Sequence, residues 1–275
     1  MAIVNTHYGF CAKGGALNFT YTGEYNVRDD GVVELLTSGS LVFINPAVID
    51  VFMVGGGGAG RSEPSAFGFD GYGGGGGGYT RTVKNMAINA NVQIPVSIGA
   101  GGNYATPSGS GTGGAGGATS FNDLSVDGGA AAPGYNGGRG GSGGGAGVNA
   151  NSGYGTGGSD GGSGERGDTT NKAGGVGQGT TTREFGESTG KLYAGGGGGG
   201  RYMDAQSPVI SAGGSGGGGY GSWVNQSGNK KQAATAGLAN TGGGGGGGAV
   251  TYTGMVVSIN GASGGSGIVC FRAAK

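Results

Sequence analysis

Three uninterrupted glycine runs, at 73–78, 195–200 and 242–248, constrain this chain more than any other feature. Glycine loses more conformational freedom on ordering than any other residue. Fixing each backbone unit costs roughly 1–2 kcal/mol even before that surcharge. Such runs are therefore either flexible linker or segments placed where only bare backbone fits. Collagen is excluded, because it needs strict Gly-X-Y with abundant proline. This chain has 80 glycines but six prolines in 275 residues, and no sustained register. Flexible linkers mix glycine with serine and join domains. Here the purest runs are bounded by strand-like or aromatic residues such as Val54, Tyr79, Leu192-Tyr193 and Val250, and similar run lengths recur.

An ordered alternative follows from backbone geometry. A polyproline-II-like helix is left-handed, has three residues per turn, rises about 3.1 Å per residue and makes no internal hydrogen bonds. Its amides and carbonyls point outward, so packed neighbours must satisfy them. Close packing leaves no room for a Cβ aimed at a neighbour. A pure run can then be surrounded on every face, whereas a G-G-X run keeps one face free. The pure runs at 73–78, 195–200 and 242–248 are expected to be interior. The segment 137–148 puts Arg139, Ser142, Gly145 and Val148 in phase, which predicts a helix at the boundary. Successive runs should reverse direction, so their loops alternate between two ends, with 61–72 and 103–110 far from the frame.

Strand patterns lie at both ends of the chain. Leu17 to Thr22 alternates, Ser40 to Ile44 is apolar and β-branched, and Val48 to Val54 is almost wholly apolar, as for a strand covered on both faces. Val92, Ile94, Val96 and Ile98 recur at period two, and strand patterns return at 249–259 and 268–272. The expected fold class is all-β with essentially no α-helix: a β frame made from both chain ends and an inserted bundle of packed, left-handed, three-fold polyglycine-II helices. In this division 1–16 is an attachment arm, and 17–54 with 249–275 forms the frame. The bundle then spans 55–248, with embedded strands at 79–98 and 118–126.

The chemistry of the chain points away from several function classes. Its formal charge is zero and no basic cluster is interleaved with aromatics, so no nucleic-acid partner is expected. No 18-residue apolar run and no signal-peptide pattern are visible, so membrane insertion is not expected. Matches to G-x-G-x-x-G are uninformative at this composition, and no G-x-x-x-x-G-K-[ST] occurs. His7 is the one histidine, which leaves no familiar zinc set with Cys11. Glu184 and Glu187 read as carboxylates of a solvated turn, and Arg166-Gly167-Asp168 as a chance tripeptide. Cys11 and Cys270 either pair or remain buried thiols. No enzyme activity, cofactor or metal is expected.

The layout of Ile49 to Gly58, then Gly76-Gly77-Gly78-Tyr79-Thr80, Val96 to Gly102, and the closing Gly264-Gly265-Ser266-Gly267-Ile268-Val269 resembles glycine-rich proteins of phage and prophage tail modules. It is also similar to the glycine-rich extracellular domain of anaplastic lymphoma kinase-type receptors. The first resemblance implies a polyglycine-II sandwich on a β-sandwich-like frame, with distal loops that bind the bacterial surface. It implies a tail-tip adhesin made in the host cytoplasm and released by lysis, with other tail-fibre proteins and a surface saccharide or outer protein as partners. The alternative is a structural appendage without receptor contact. Loop aromatics give contact area at low entropy cost. The candidate receptor-binding residues are therefore Phe67, Phe69, Tyr104, Tyr202, Met203, Trp223 and Asn225, while Tyr72 and Tyr135 are expected to cap helix ends or pack on the frame.

Overall fold

The computed structural model describes residues 5–8 (backbone), 17–62, 70–104, 111–147, 156, 162–164, 182–203, 210–225, 227–229, 231–252 and 256–275. Two antiparallel sheets form the frame. One runs β1 (Asn5–Tyr8), β2 (Asn18–Tyr21), β5 (Gly39–Phe43), β9 (Gln93–Ser97), β10 (Thr119–Phe121), β11 (Leu124–Val126). The other runs β3 (Tyr25–Val27), β4 (Val33–Leu35), β17 (Ile268–Ala273), β6 (Ala47–Val54), β8 (Thr80–Ile88). Their inner faces share one core that includes Phe19, Leu41, Phe43, Ile94 and Val96 from the first sheet and Leu35, Ile49, Val51, Met53 and Phe271 from the second. Phe271 meets Phe19 and Phe43 edge-on, with ring centroids 5.4 and 5.6 Å away, the orientation that the aromatic quadrupole favours.

β6 is covered on both faces from Val51 to Val54, as that apolar run requires. Val51 and Met53 enter the sandwich core. Phe52 and Val54 point the other way, under Phe185, Tyr193 and Ala194. β9 alternates exposed and buried, with Ile94 and Val96 inside; Val92, just outside it, is half exposed.

The glycine segments form a lattice of extended helices joined by backbone hydrogen bonds. In 73–78 the six amides donate in strict rotation. Gly73 and Gly76 reach Gly134 and Ala130, Gly74 and Gly77 reach Gly145 and Ser142, and Gly75 and Gly78 reach Gly245 and Gly242, at 2.8–3.0 Å. The carbonyls serve three further neighbours: Gly76 accepts from Gly58, Gly74 from Gly138, and Gly75 from Gly197. A three-fold helix aims its donors in three directions and its acceptors in three others. The run therefore has six neighbouring segments, and 55–61 and 242–248 are surrounded in the same way. A Cβ on Gly75 would lie 2.1 Å from the Gly58 carbonyl oxygen, and one on Gly78 would lie 2.0 Å from that of Gly55.

Three expectations change. Segment 137–148 is not one boundary helix. Gly76 lies against Arg139 along a run parallel to it, while Gly77 and Gly74 bond Ser142 and Gly145 along a run that returns. The chain reverses near Gly141-Ser142, so Arg139 is exposed and Ser142 is buried; Val148 lies outside the described residues. The C-terminal strands do not all join the frame. β15 (Ala249–Tyr252) and β16 (Val256–Ile259) pair instead with β7 (Asp70–Gly71) in a separate small sheet. The strands at 80–97 and 119–126, expected within the bundle, are frame strands. Within the notional arm, Asn5–Tyr8 pairs with β2.

Candidate functional site

Run direction determines which loops gather together. Segment 55–61 leaves the frame, and 72–79 returns antiparallel to it through Gly58–Gly76 and Arg61–Gly73 bonds. Segment 194–200 leaves alongside it, 211–214 returns, 218–222 leaves, 233–238 returns and 242–248 leaves. The connections that start after 61, 103, 133, 200, 222 and 248 therefore converge at the end remote from the sandwich. The turn at 215–217 and the turn at 238–241 lie at the frame end, with 182–193. Gly216 and Gly217 take φ of 94° and 97° in the first of these turns, a region closed to most side chains.

Small sheets close the far end. β12 (Arg201–Met203) and β13 (Trp223–Asn225) pair in parallel because the glycine runs that feed them, 194–200 and 218–222, leave in the same direction. β14 (Lys231–Gln232) completes that sheet. The candidates distribute unevenly over it. Tyr104 is 44% exposed. Tyr202 is half-buried opposite Val224, and Met203 is opposite Asn225 in backbone register. The Asn225 amide donates to Ser227 Oγ and Asn229 Oδ1, both at 2.8 Å, which ties the turn of the β13–β14 hairpin. Trp223 is a correction: at 2% exposure it is an internal packing residue, so its ring is not offered at the surface. Phe67 and Phe69 lie outside the described residues, as do Cys11 and the Arg166–Asp168 tripeptide.

Tyr72 and Tyr135 stack at 5.3 Å with 10° between their planes, over the far end of the lattice. Tyr72 is buried, and Tyr135 donates its hydroxyl to Asp70 at 3.2 Å. Tyr72 is thus a packing residue, whereas Tyr135 caps it and remains 40% exposed at the loop end.

A groove of about 660 Å³ opens on the flank of the far end. One wall follows β14 and the next residues, Lys231 with Ala233, Ala234 and Ala236; the other follows the end of β16 and the chain to Ser263, with Tyr104 beside them. Tyr104 donates its backbone N–H to Ser263 Oγ at 3.2 Å. The Gly264 amide reaches the Gly102 carbonyl at 2.9 Å. These bonds hold the base of the Tyr104 loop against the second wall. Sequence reading selected Tyr104 but not its partners, because alanines and serines carry no signal until two distant segments are adjacent.

The outer face of the second frame sheet carries a different cluster. Residues 182–193 fold over it, with Phe185 in a 3₁₀ turn, Glu184–Gly186. Phe185 packs on Phe52 and lies under the Arg272 guanidinium at 4.0 Å. Glu184 is not solvated. It is 4% exposed and receives both Arg28 amino groups, at 2.8 and 2.7 Å, with the Tyr193 hydroxyl at 3.2 Å. Glu187 accepts from Arg272 at 2.6 Å and from Lys275 at 3.2 Å. Those cations hold the Glu187 pKa at about 2. Burial pushes the Tyr193 hydroxyl and the Cys270 thiol upward, so both stay protonated. This cluster pins a segment to a sheet, and nearly every charge in it has an opposite partner.

Among the described residues no trio of His, Cys, Asp or Glu is placed to hold a metal, and no helix is long and apolar enough to cross a membrane. No curated protein matches the chain. The family model described as a glycine-rich domain matches residues 37–274, which takes in most of the frame and the whole lattice. The chain belongs to the glycine-rich domain family.

Proposed function

We propose that this chain is a tail-tip receptor-binding adhesin of a phage, recognising a bacterial surface molecule through the far end of its glycine lattice. The observation that carries the reading is the convergence of the connections after 61, 103, 133, 200, 222 and 248 at one end, opposite the sandwich. A rigid scaffold that presents several loops together is the usual architecture of recognition. Most bonds of the lattice join backbone to backbone, so they place few demands on the side chains of the connecting loops. Loop residues that take no part in those bonds can therefore diverge at little cost to the fold, which suits a protein whose target varies. In this reading the sandwich end faces other tail-fibre proteins, the chain is carried on the virion, and it catalyses no reaction.

The test is loop exchange. Replacing 204–209 and 63–69 with unrelated loops of equal length should change which strains of a bacterial panel the labelled protein coats. Thermal unfolding should stay within a few degrees of wild type. Unchanged strain binding after all far-end connections have been exchanged overturns the proposal. A spacer protein would give no cell binding at the outset.

A further inference from the structure

We infer that the groove between Lys231–Ala236 and Ser258–Ser263 is a binding site for an anionic saccharide, with Tyr104 as its stacking platform; this deepens the adhesin reading and rests on it. Four observations carry the inference. Tyr104 is a large ring left 44% exposed at a groove, where an aromatic face can cover the C–H face of a sugar at low entropy cost. Ala233, Ala234, Ala236, Gly261 and Ala262 make up much of the two walls, which leaves a ring free to approach the backbone without displacing long side chains. Ser258, Asn260 and Ser263 supply small donors and acceptors along one wall. Among the described residues of the lining Lys231 is the one charged side chain, and no carboxylate stands with it there. A carboxylate- or phosphate-bearing sugar therefore meets a cation without an opposing charge, while a cationic ligand meets repulsion.

The walls are also preorganised. Lys231 is held in register with Val224 on β13, itself buried. The Tyr104 backbone is tied to Ser263. Little ordering is left to occur on binding, which is how a site of this size reaches useful affinity.

The experiment is binding of the full-length protein to an immobilised panel of acidic bacterial polysaccharides, uronate-bearing and phosphate-bearing, together with neutral ones. Wild type should bind acidic members. Tyr104→Ala should weaken that binding at least tenfold. Lys231→Gln should weaken it about tenfold and flatten its decline between 50 and 300 mM salt, whereas Lys231→Arg should retain it. Both positions are exposed, and unchanged thermal unfolding checks that the variants fold. Binding that is insensitive to both variants overturns the site. Wild type that coats cells, yet binds no acidic glycan and loses the cells after their surface proteins are digested, overturns the site and leaves the adhesin reading standing. Failure to bind either cells or glycans overturns both.

Discussion

At the scale of the residue, the absent Cβ is the structural element. Gly75 and Gly134 belong to neighbouring segments but differ in what a methyl would meet. The Gly75 position faces a backbone carbonyl oxygen at 2.1 Å, which cannot rotate away, whereas nothing lies within 4 Å of the Gly134 position. Gly75→Ala is expected to cost about 3 kcal/mol or more, the upper range for overpacking a closed interior. Gly134→Ala should stay within about 0.5 kcal/mol of wild type. Parallel denaturant titrations check this, and equal losses at the two sites would contradict the packing account. The same scale shows where residue-by-residue reading stops. Tyr104 and Trp223 are both aromatics beside polar loop residues, yet one is 44% exposed and the other 2%. Which of them faces solvent depends on segments far away in sequence.

At the scale of the element, the piece at 182–193 shows how a non-glycine segment is fastened. Val32, Phe52, Val54, Ile268 and Cys270 give the second frame sheet an apolar outer strip, and Phe185 and Tyr193 cover it. Charges fix the cover at its margins. Hydrogen bonds from Arg272, then from Lys275, lower the Glu187 pKa from 4.5 to about 2 in the folded chain. A carboxylate with a depressed folded pKa contributes stability above its unfolded value. That contribution is lost as the pH falls through the folded one. The share of Glu187 should therefore be complete above about pH 4.5 and fade between there and pH 2. Glu187→Gln should lower the melting temperature at pH 7, and the gap to wild type should close as the pH falls through that window. A gap that persists at pH 2 would assign the effect to packing rather than charge. The turn looked solvated because its partners, Arg28 and Arg272, lie 156 and 85 residues away.

At the scale of the whole molecule, the sandwich and the lattice support each other. β6 leads directly into the run that begins at Gly55, and the run ending at Gly78 leads back into β8 by way of Tyr79. The strands thus fix the spacing and direction at which the glycine runs set out. Once set, the runs 73–78 and 244–248 have their amides paired with neighbouring segments rather than with water. Hydrogen exchange should find the amides of 73–78 and 243–247 protected to nearly the same degree as those of β6 and β17, because opening any one run requires breaking bonds to several others. Free exchange in these runs with protected frame strands would mean that the lattice does not exist in solution.

The residues alone established that the glycine runs, if ordered, pack backbone to backbone. Nothing but a hydrogen atom fits between such chains, and a three-residue repeat aims polar groups to every side. The residues also established the two-sided burial of Val51 to Val54, since an unbroken apolar strand has no face to give to water. Three-dimensional contacts alone reveal which runs are neighbours, that 137–147 doubles back, that β15 and β16 close the far end, and that Tyr104 borders a groove with Lys231. Glycine is chemically identical at every position of every run, so pairing among runs cannot be encoded in their own residues. It is selected by the strands and turns between them, through contacts that join residues far apart in the chain.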